Sequence, residues 1–377
     1  MKTIATYRFK KILFDIETDA LNATKIWCIV AKIIGQDKIY KFPPDKLEEG
    51  FKFLQTADVL VGHNILGFDI PIIKKLYNIN LTNNIEDTLV MSRLFNPVQT
   101  GGHSLENWGW LLYPNNSTYR KDKKPEDFTK YNSNMLDYCA KDVQLNEAVY
   151  YRLCKKSKDF SRESIDIEHS VADIMKQQEV KGFMLDEEKA TLLSAKLNSK
   201  MVEIEKQVHE RFKPKWVDDK LVTPYIKKDG TLSNRGLTDE EYNSIQRSDN
   251  TQSFMRQKLV EFNLASRKQI GEYLIDFGWK PERFTPTGQP IVDEKTLSQV
   301  THIQEAKLIA EFLVLQKRIA QIDSWIEAVK EDGRIHGFVI SNGAITGRMT
   351  HRNPNTAQIP SLRQPYGKEC RSCWTVD

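Results

Sequence analysis

Short β-rich runs alternating with helical segments, then a series of long amphipathic helices, predict an α/β domain followed by a mainly helical region. Three observations carry this. Up to about Ser157, runs rich in β-branched and aromatic residues alternate with segments of helical periodicity, the pattern of a sheet covered by helices. Beyond Ser157 the periodicity lengthens and strand-like runs become rare. At 377 residues the chain also exceeds what one hydrophobic core usually fills, so more than one domain is expected.

Taken in order, KILFDI (residues 11–16), KIWCIVAKII (25–34) and DVLVGHN (58–64) read as strands. GFDIPIIKKLY (67–77) and NMLDYCAKDVQLNEAVYYRL (134–153) read as helices. ESIDIEHSVADIMKQQEV (163–180) opens the helical region. The next long helix starts at Asp186, which suits an N-cap. From Lys213 to about Asn263 the turn signals KPKW, KKDG and SNRG mark a polar insertion between helices. Leu308, Phe312, Leu315, Ile319, Ile322 and Ile326 then form one apolar stripe, which reads as core. Glu331-Asp332-Gly333 is a turn, and RIHGFVI (334–340) reads as a strand.

With 55 Lys and Arg against 51 Asp and Glu, the net charge of +4 permits a nucleic-acid partner without requiring one. No apolar run is long enough to span a bilayer and the first residues lack a secretory pattern, so a cytoplasmic location without membrane contact is expected. The five cysteines show no disulfide framework, which fits a reducing compartment. Cys370 and Cys373 form a C-x-x-C with only four residues after it, and read as two unpaired thiols rather than a zinc or redox motif.

Chemistry enters at the end of the first strand. Residues two apart share a strand face, so Asp15 and Glu17 point the same way and can hold one cation together. Alone, the pair reads more readily as a strand end at the solvent surface, since Asp-x-Glu is a common pattern. Asp69 falls in the first turn of the helix after Val61-Gly62-His63-Asn64, where it could merely complement the helix dipole. Tyr138 and Asp142 stand at i and i+4 on one helix face, and could be a core tyrosine beside a surface acid.

Together, Asp15-x-Glu17, His63-Asn64-x-x-x-Phe68-Asp69 and Tyr138-x-x-x-Asp142 resemble the three motifs of the DEDD superfamily of 3′–5′ exonucleases. Position 137 is Asp, not His, so the likeness is to the tyrosine subtype. It implies a ribonuclease-H-like mixed-sheet domain and two Mg²⁺ ions, for which Mn²⁺ can substitute. Two ions roughly 4 Å apart can divide the tasks of phosphodiester hydrolysis, and Mg²⁺ favours hard oxygen ligands, so four carboxylates suit the chemistry. By the resemblance, Asp15, Glu17 and Asp142 hold the ion carrying the nucleophilic water, and Asp15 also reaches the second ion. Asp69 serves that second ion through water, Tyr138 orients the attacking water, Asn64 contacts the substrate strand, and His63 is structural.

A second signature lies near the other end. Thr346-Gly347-Arg348 and Pro354-Asn355-x-x-x-Ile359-Pro360, with Gln358, Arg363 and Arg371, resemble the thumb-to-palm segment of family A DNA polymerases. Between Thr346 and Arg371 stand five Lys or Arg against one Glu, a composition suited to phosphate contacts. The resemblance implies that Arg348, Asn355, Gln358, Arg363 and Arg371 contact primer–template DNA.

Asp87-Thr88-Leu89-Val90-Met91-Ser92-Arg93-Leu94, Gly102-His103-Ser104-Leu105-Glu106-Asn107-Trp108-Gly109 and Leu315-Gln316-Lys317-Arg318-Ile319 narrow the likeness to polymerases of the bacteriophage T-seven type. Their division would be an exonuclease domain over 1–158, a helical thumb over 159–331 with the insertion at 213–262, and the start of a palm over 332–377. In that family the thumb insertion binds a thioredoxin processivity factor; the insertion here is short and different, which counts against that partner. Asp377, six residues after Arg371, is too close to it to be the first palm aspartate. The expected protein is therefore the N-terminal part of a split phage polymerase in a bacterial host cytoplasm. It would proofread single-stranded 3′ ends, with the remaining palm and the fingers on a second chain. The competing expectations are a stand-alone exonuclease and a non-catalytic DNA-holding subunit.

Overall fold

The computed structural model describes residues 9–115, 128–248 and 250–375; Asp377 lies outside them. The chain packs as two compact units. The described parts of 1–184 and 328–359 form the first, and 185–327 with 360–375 form the second.

The first unit opens with β1 (Lys11–Thr18), β2 (Ile26–Ile33), β3 (Ile39–Phe42), α1 (Leu47–Gln55), β4 (Val59–Gly62), α2 (Asp69–Tyr77) and β5 (Asn84–Asp87). α3 (Thr88–Phe95), α4 (Leu105–Leu112), α5 (Ser133–Lys156), α6 (Arg162–Lys181) and β6 (Phe183–Leu185) follow. The first five strands form one mixed sheet in the order β3-β2-β1-β4-β5, and β6 lies outside it. β1 runs antiparallel to β2, with Asp15 opposite Val30 and Glu17 opposite Cys28, and parallel to β4, with Leu13 opposite Val61. β3 and β5 escape the sequence reading because IYKF and NIED are short and partly polar, without the continuous apolar run that marks the equally short β4.

Alternation along the central strand divides the core. Ile12, Phe14 and Ile16 pack with Leu54, Ile65, Ile72 and Ile73 on the face covered by α1 and α2. Leu13 faces the opposite way, onto Met135, Cys139 and Val143 of α5. Asp15 and Glu17 continue the Leu13 series, so the same period that buries the strand aims both carboxylates at α5.

The second unit contains α7 (Glu187–Arg211), β7 (Lys215–Val222), α8 (Asp239–Ser248), β8 (Phe254–Val260), α9 (Arg267–Asp276), α10 (Glu294–Ser298) and α11 (Gln304–Ala328). Asp186 caps α7, its side chain accepting from the Lys189 N–H. The polar insertion is a hairpin of β7 and β8 with α8, closed at its base by Phe212, Phe262 and Tyr273. α11 buries Ala306, Ile309, Phe312, Leu315, Ile319, Ile322 and Trp325; Leu308 and Ile326, expected in the stripe, lie at its half-buried margins. After α11 come β9 (Arg334–Ile335), β10 (Phe338–Ile340) and β11 (Thr350–Arg352) of the first unit, then α12 (Gly367–Arg371) of the second. The strand expected at 334–340 is thus broken in two.

The compact units divide after residues 184, 327 and 359, a division of packing distinct from the functional one expected at 158 and 331. α6 belongs to the first unit because Ile165 and His169 are buried there, and Phe183 and Met184 pair with Ile335 and Arg334. Residues 360–375 belong to the second, where the Arg318 Nε donates to the Pro365 carbonyl and the Lys200 Nζ lies over the Tyr366 ring. All five cysteines are free, with Cys370 and Cys373 fully buried. No helix among the described residues is long and apolar enough to cross a membrane.

Candidate functional site

At the end of β1, single ligand atoms of Asp15, Glu17 and Cys139 all lie within 4.8 Å of one another. The Cys139 Sγ is 3.4 Å from both the carbonyl and the Oδ2 of Asp15, which fixes this face of α5 against the strand. Tyr138 precedes Cys139 and is half-buried; Asp142, one turn further along the same helix, is buried.

Asp69 approaches from the N-terminus of α2. Its Oδ1 accepts the Ile16 N–H at 3.1 Å, so it sits against the backbone between Asp15 and Glu17. Burial, then the charge of Asp15, push its carboxyl well above the usual carboxylate range. A carboxyl whose proton affinity is raised by burial and by a neighbouring carboxylate suits a divalent cation, which would relieve the repulsion. Cys139 does not make this a thiolate centre: burial, then Cys28 and Asp15, push its thiol well above the ordinary value, leaving an S–H donor to Asp15. The donor set therefore fits a hard divalent ion.

The turn between β4 and α2 has its own framework. Asn64 takes φ 64°, in the left-handed region where Asn is among the tolerated residues. A Cβ on Gly67 would come within 2.4 Å of the Asn64 Oδ1. His63 Nδ1 lies 2.9 Å from the Thr88 Oγ1, which in turn donates to the Asn146 Oδ1 and lies 3.1 Å from the Gly62 carbonyl.

Sequence reasoning missed three contributors here. Asp87 accepts from the Asn64 and Leu66 N–H groups as well as capping α3 through Leu89; Cys139 orients Asp15; His169 accepts from the Asp87 N–H. An acid at the end of a β-rich run and the start of a helix is a capping signal that could have flagged Asp87. Cys139 and His169 carry no comparable local signal.

Of the expected DNA contacts, Arg348, Asn355 and Gln358 are exposed on the first unit, and Arg363 and Arg371 are exposed on the second. The Arg371 Nε also donates to the Pro360 carbonyl at 2.8 Å, tying α12 to the preceding loop.

Residues 237–377 match the sequence profile of the family described as DNA polymerase family A. Over 97% of its length the chain is 29% identical to the DNA-directed DNA polymerase of Escherichia phage T7, and it is equally similar to that of Enterobacteria phage T3. It spans 65% of the length of each. Across 53% of the chain it is 27% identical to a DNA polymerase I of Helicobacter pylori, covering 23% of that protein. Among solved structures, the polymerase domain of Pol1 from M. smegmatis, in complex with DNA primer-template and dNTP, shares the fold. Its TM-score is 0.66 at 14% identity, covering 98% of this chain and 55% of that one.

Proposed function

On the premise that this chain is a relative of the family A DNA polymerases of phages T7 and T3, we propose that it carries their proofreading part. In this reading it hydrolyses single-stranded 3′ ends of DNA and holds primer–template duplex. The observation that carries the nuclease reading is the grouping of Asp15 and Glu17 with Cys139 of α5 at the end of β1, with Asp69 held against the intervening Ile16 N–H and close enough to Asp15 to feel its charge. The sheet order, with β1 antiparallel to β2 and parallel to β4, supports a ribonuclease-H-like domain.

Asp15, Glu17, Asp69 and Asp142 would hold two Mg²⁺ ions, or Mn²⁺ in their place. When bound, the ions supply a water of lowered pKa and charge to offset the leaving 3′ oxygen. Cys139 keeps Asp15 aimed at the site through its S–H. Tyr138 orients the attacking water by a hydrogen bond, and Asn64 steadies the terminal nucleotide. Arg348, Asn355, Gln358, Arg363 and Arg371 contact the duplex, chiefly through phosphates. Residues 159–331 act as thumb and 332–377 begin the palm. The short hairpin insertion gives no support to a thioredoxin partner.

A 5′-labelled single-stranded oligodeoxynucleotide and a mismatched primer–template test the nuclease. Degradation from the 3′ end should require Mg²⁺ or Mn²⁺ and fall by at least about a thousandfold in the Asp15→Ala, Glu17→Ala variant. Retention of activity by that variant would remove the reading; duplex binding without degradation by the wild type would favour a DNA-holding subunit.

A further inference from the structure

We propose that Asp87 and His169 are positioning residues for this nuclease site, holding from behind the turn that delivers Asn64 and Asp69. The inference rests on the exonuclease reading for its consequence, but its geometry is independent of it.

Asp87 is 1% exposed, so it reaches neither water nor DNA. Its carboxylate accepts three backbone N–H groups. Oδ1 takes Asn64 at 2.9 Å and Leu89 at 2.9 Å, and Oδ2 takes Leu66 at 3.0 Å. Two of these donors lie across the chain on the turn after β4, so its function exceeds capping α3. Between them the Asn64 carbonyl accepts from Gly67 and Phe68 at 3.0 and 2.9 Å, and the Ile65 carbonyl accepts from Ile70 at 3.0 Å. One unbroken hydrogen-bonded turn thus runs from the Asp87 carboxylate to the first turn of α2, where Asp69 reaches β1 through Ile16.

His169 fixes Asp87 from the other side. Its Nε2 accepts the Asp87 N–H at 2.7 Å, while its Nδ1 lies 2.7 Å from the Ile165 carbonyl. A backbone N–H only donates and a carbonyl only accepts, so the ring is neutral with its proton on Nδ1. The buried imidazole of α6 therefore sets the height of the last β5 residue, and the Asp87 side chain transmits that placement to the turn. Thr88 adds the neighbouring contacts to His63 and Asn146. Because metal-dependent hydrolysis depends on sub-ångström placement of the ligands, loosening this support should act on turnover rather than on DNA affinity.

The test uses the full chain with Asp87→Asn, His169→Ala and His169→Gln, read by hydrogen exchange, Mn²⁺ binding and exonuclease kinetics. In Asp87→Asn an amide N–H₂ replaces one acceptor oxygen. Exchange at the Asn64 and Leu66 amides should quicken about tenfold or more while the β2 amides keep their protection. Mn²⁺ binding should weaken, and kcat should fall about 10- to 100-fold with KM for DNA within about twofold. His169→Ala should follow the same pattern; His169→Gln, whose amide oxygen can still accept the Asp87 N–H, should recover most of it. Faster exchange throughout the sheet, with activity falling only as folded protein is lost, would reduce both residues to a structural role and overturn the proposal. So would unchanged exchange at residues 64–68, or faster exchange there with kcat and Mn²⁺ binding intact. A wild-type chain that degrades no DNA would instead sink the exonuclease reading, while exchange and Mn²⁺ binding would still decide whether Asp87 and His169 hold the turn.

Discussion

Replacing Glu86 by Gln should destabilise the first unit in a way that depends on pH. Glu86 lies on β5 at 4% exposure and accepts from the Lys11 Nζ at 2.7 Å, the Tyr150 hydroxyl at 2.6 Å and the Arg162 Nη1 at 2.7 Å. Burial alone would raise its carboxyl, but the three donors outweigh burial and hold it at about 2 instead of 4.5. At 1.36 kcal/mol per pH unit that interval corresponds to about 3 kcal/mol of folding stability. Arg162, whose side chain is 60% exposed, is partly screened by water, so about 2 kcal/mol is the better expectation. The pKa is depressed in the folded state. The contribution is therefore complete above the unfolded value and is lost as pH falls through the folded one. Urea unfolding from neutral pH down to about 3, with pulsed hydrogen exchange of the β1 and β5 peptides to isolate the first unit, reads the difference between wild type and Glu86→Gln. The gap should be widest near neutrality and shrink below about pH 4. A gap that stays constant, or widens toward acid, would refute the assignment of stability to an ionised Glu86.

Other substitutions probe the site and the second unit. In Asp15→Asn the charge that helps raise the Asp69 carboxyl is gone and only burial remains as the main upward influence, so Asp69 should titrate lower in metal-free protein, as followed by side-chain carboxyl NMR. Gly67→Ala would drive a Cβ within 2.4 Å of the Asn64 Oδ1. Displacing that amide should raise KM for single-stranded DNA about two- to tenfold with little change in thermal midpoint. Ile322→Ala empties a fully buried position on α11 and should cost about 2–4 kcal/mol in denaturant unfolding of the second unit, leaving exchange in the β1–β5 sheet unaltered.

Much of this protein was legible locally. The strand ending in Asp15 and Glu17 could be read because a period of two both buries Leu13 and aims the acids with it. The helices over 133–156 and 187–211 were legible because their apolar residues repeat at helical spacing, and Asp186 caps the second as its side-chain chemistry requires. Ile39–Phe42 and Asn84–Asp87 were not, since these short, partly polar runs are made strands by their neighbours in the sheet, unlike the apolar Val59–Gly62. Nor was the partition of the chain, because whether α6 joins the first unit depends on where Ile165 and His169 find cover.

The sequence by itself determined which groups can do chemistry: the carboxylates, Tyr138 and the basic segment after Thr346, all set by residue type and spacing. Only the tertiary structure decided which of them meet. Asp69 stands 54 positions from Asp15, yet its raised proton affinity arises because folding buries its carboxyl and brings it near the charge of Asp15. Cys139, Asp87 and His169 became part of the site in the same way. Their influence depends on hydrogen bonds across 124, 23 or 82 positions of chain, and no local pattern encodes a distance that only packing fixes.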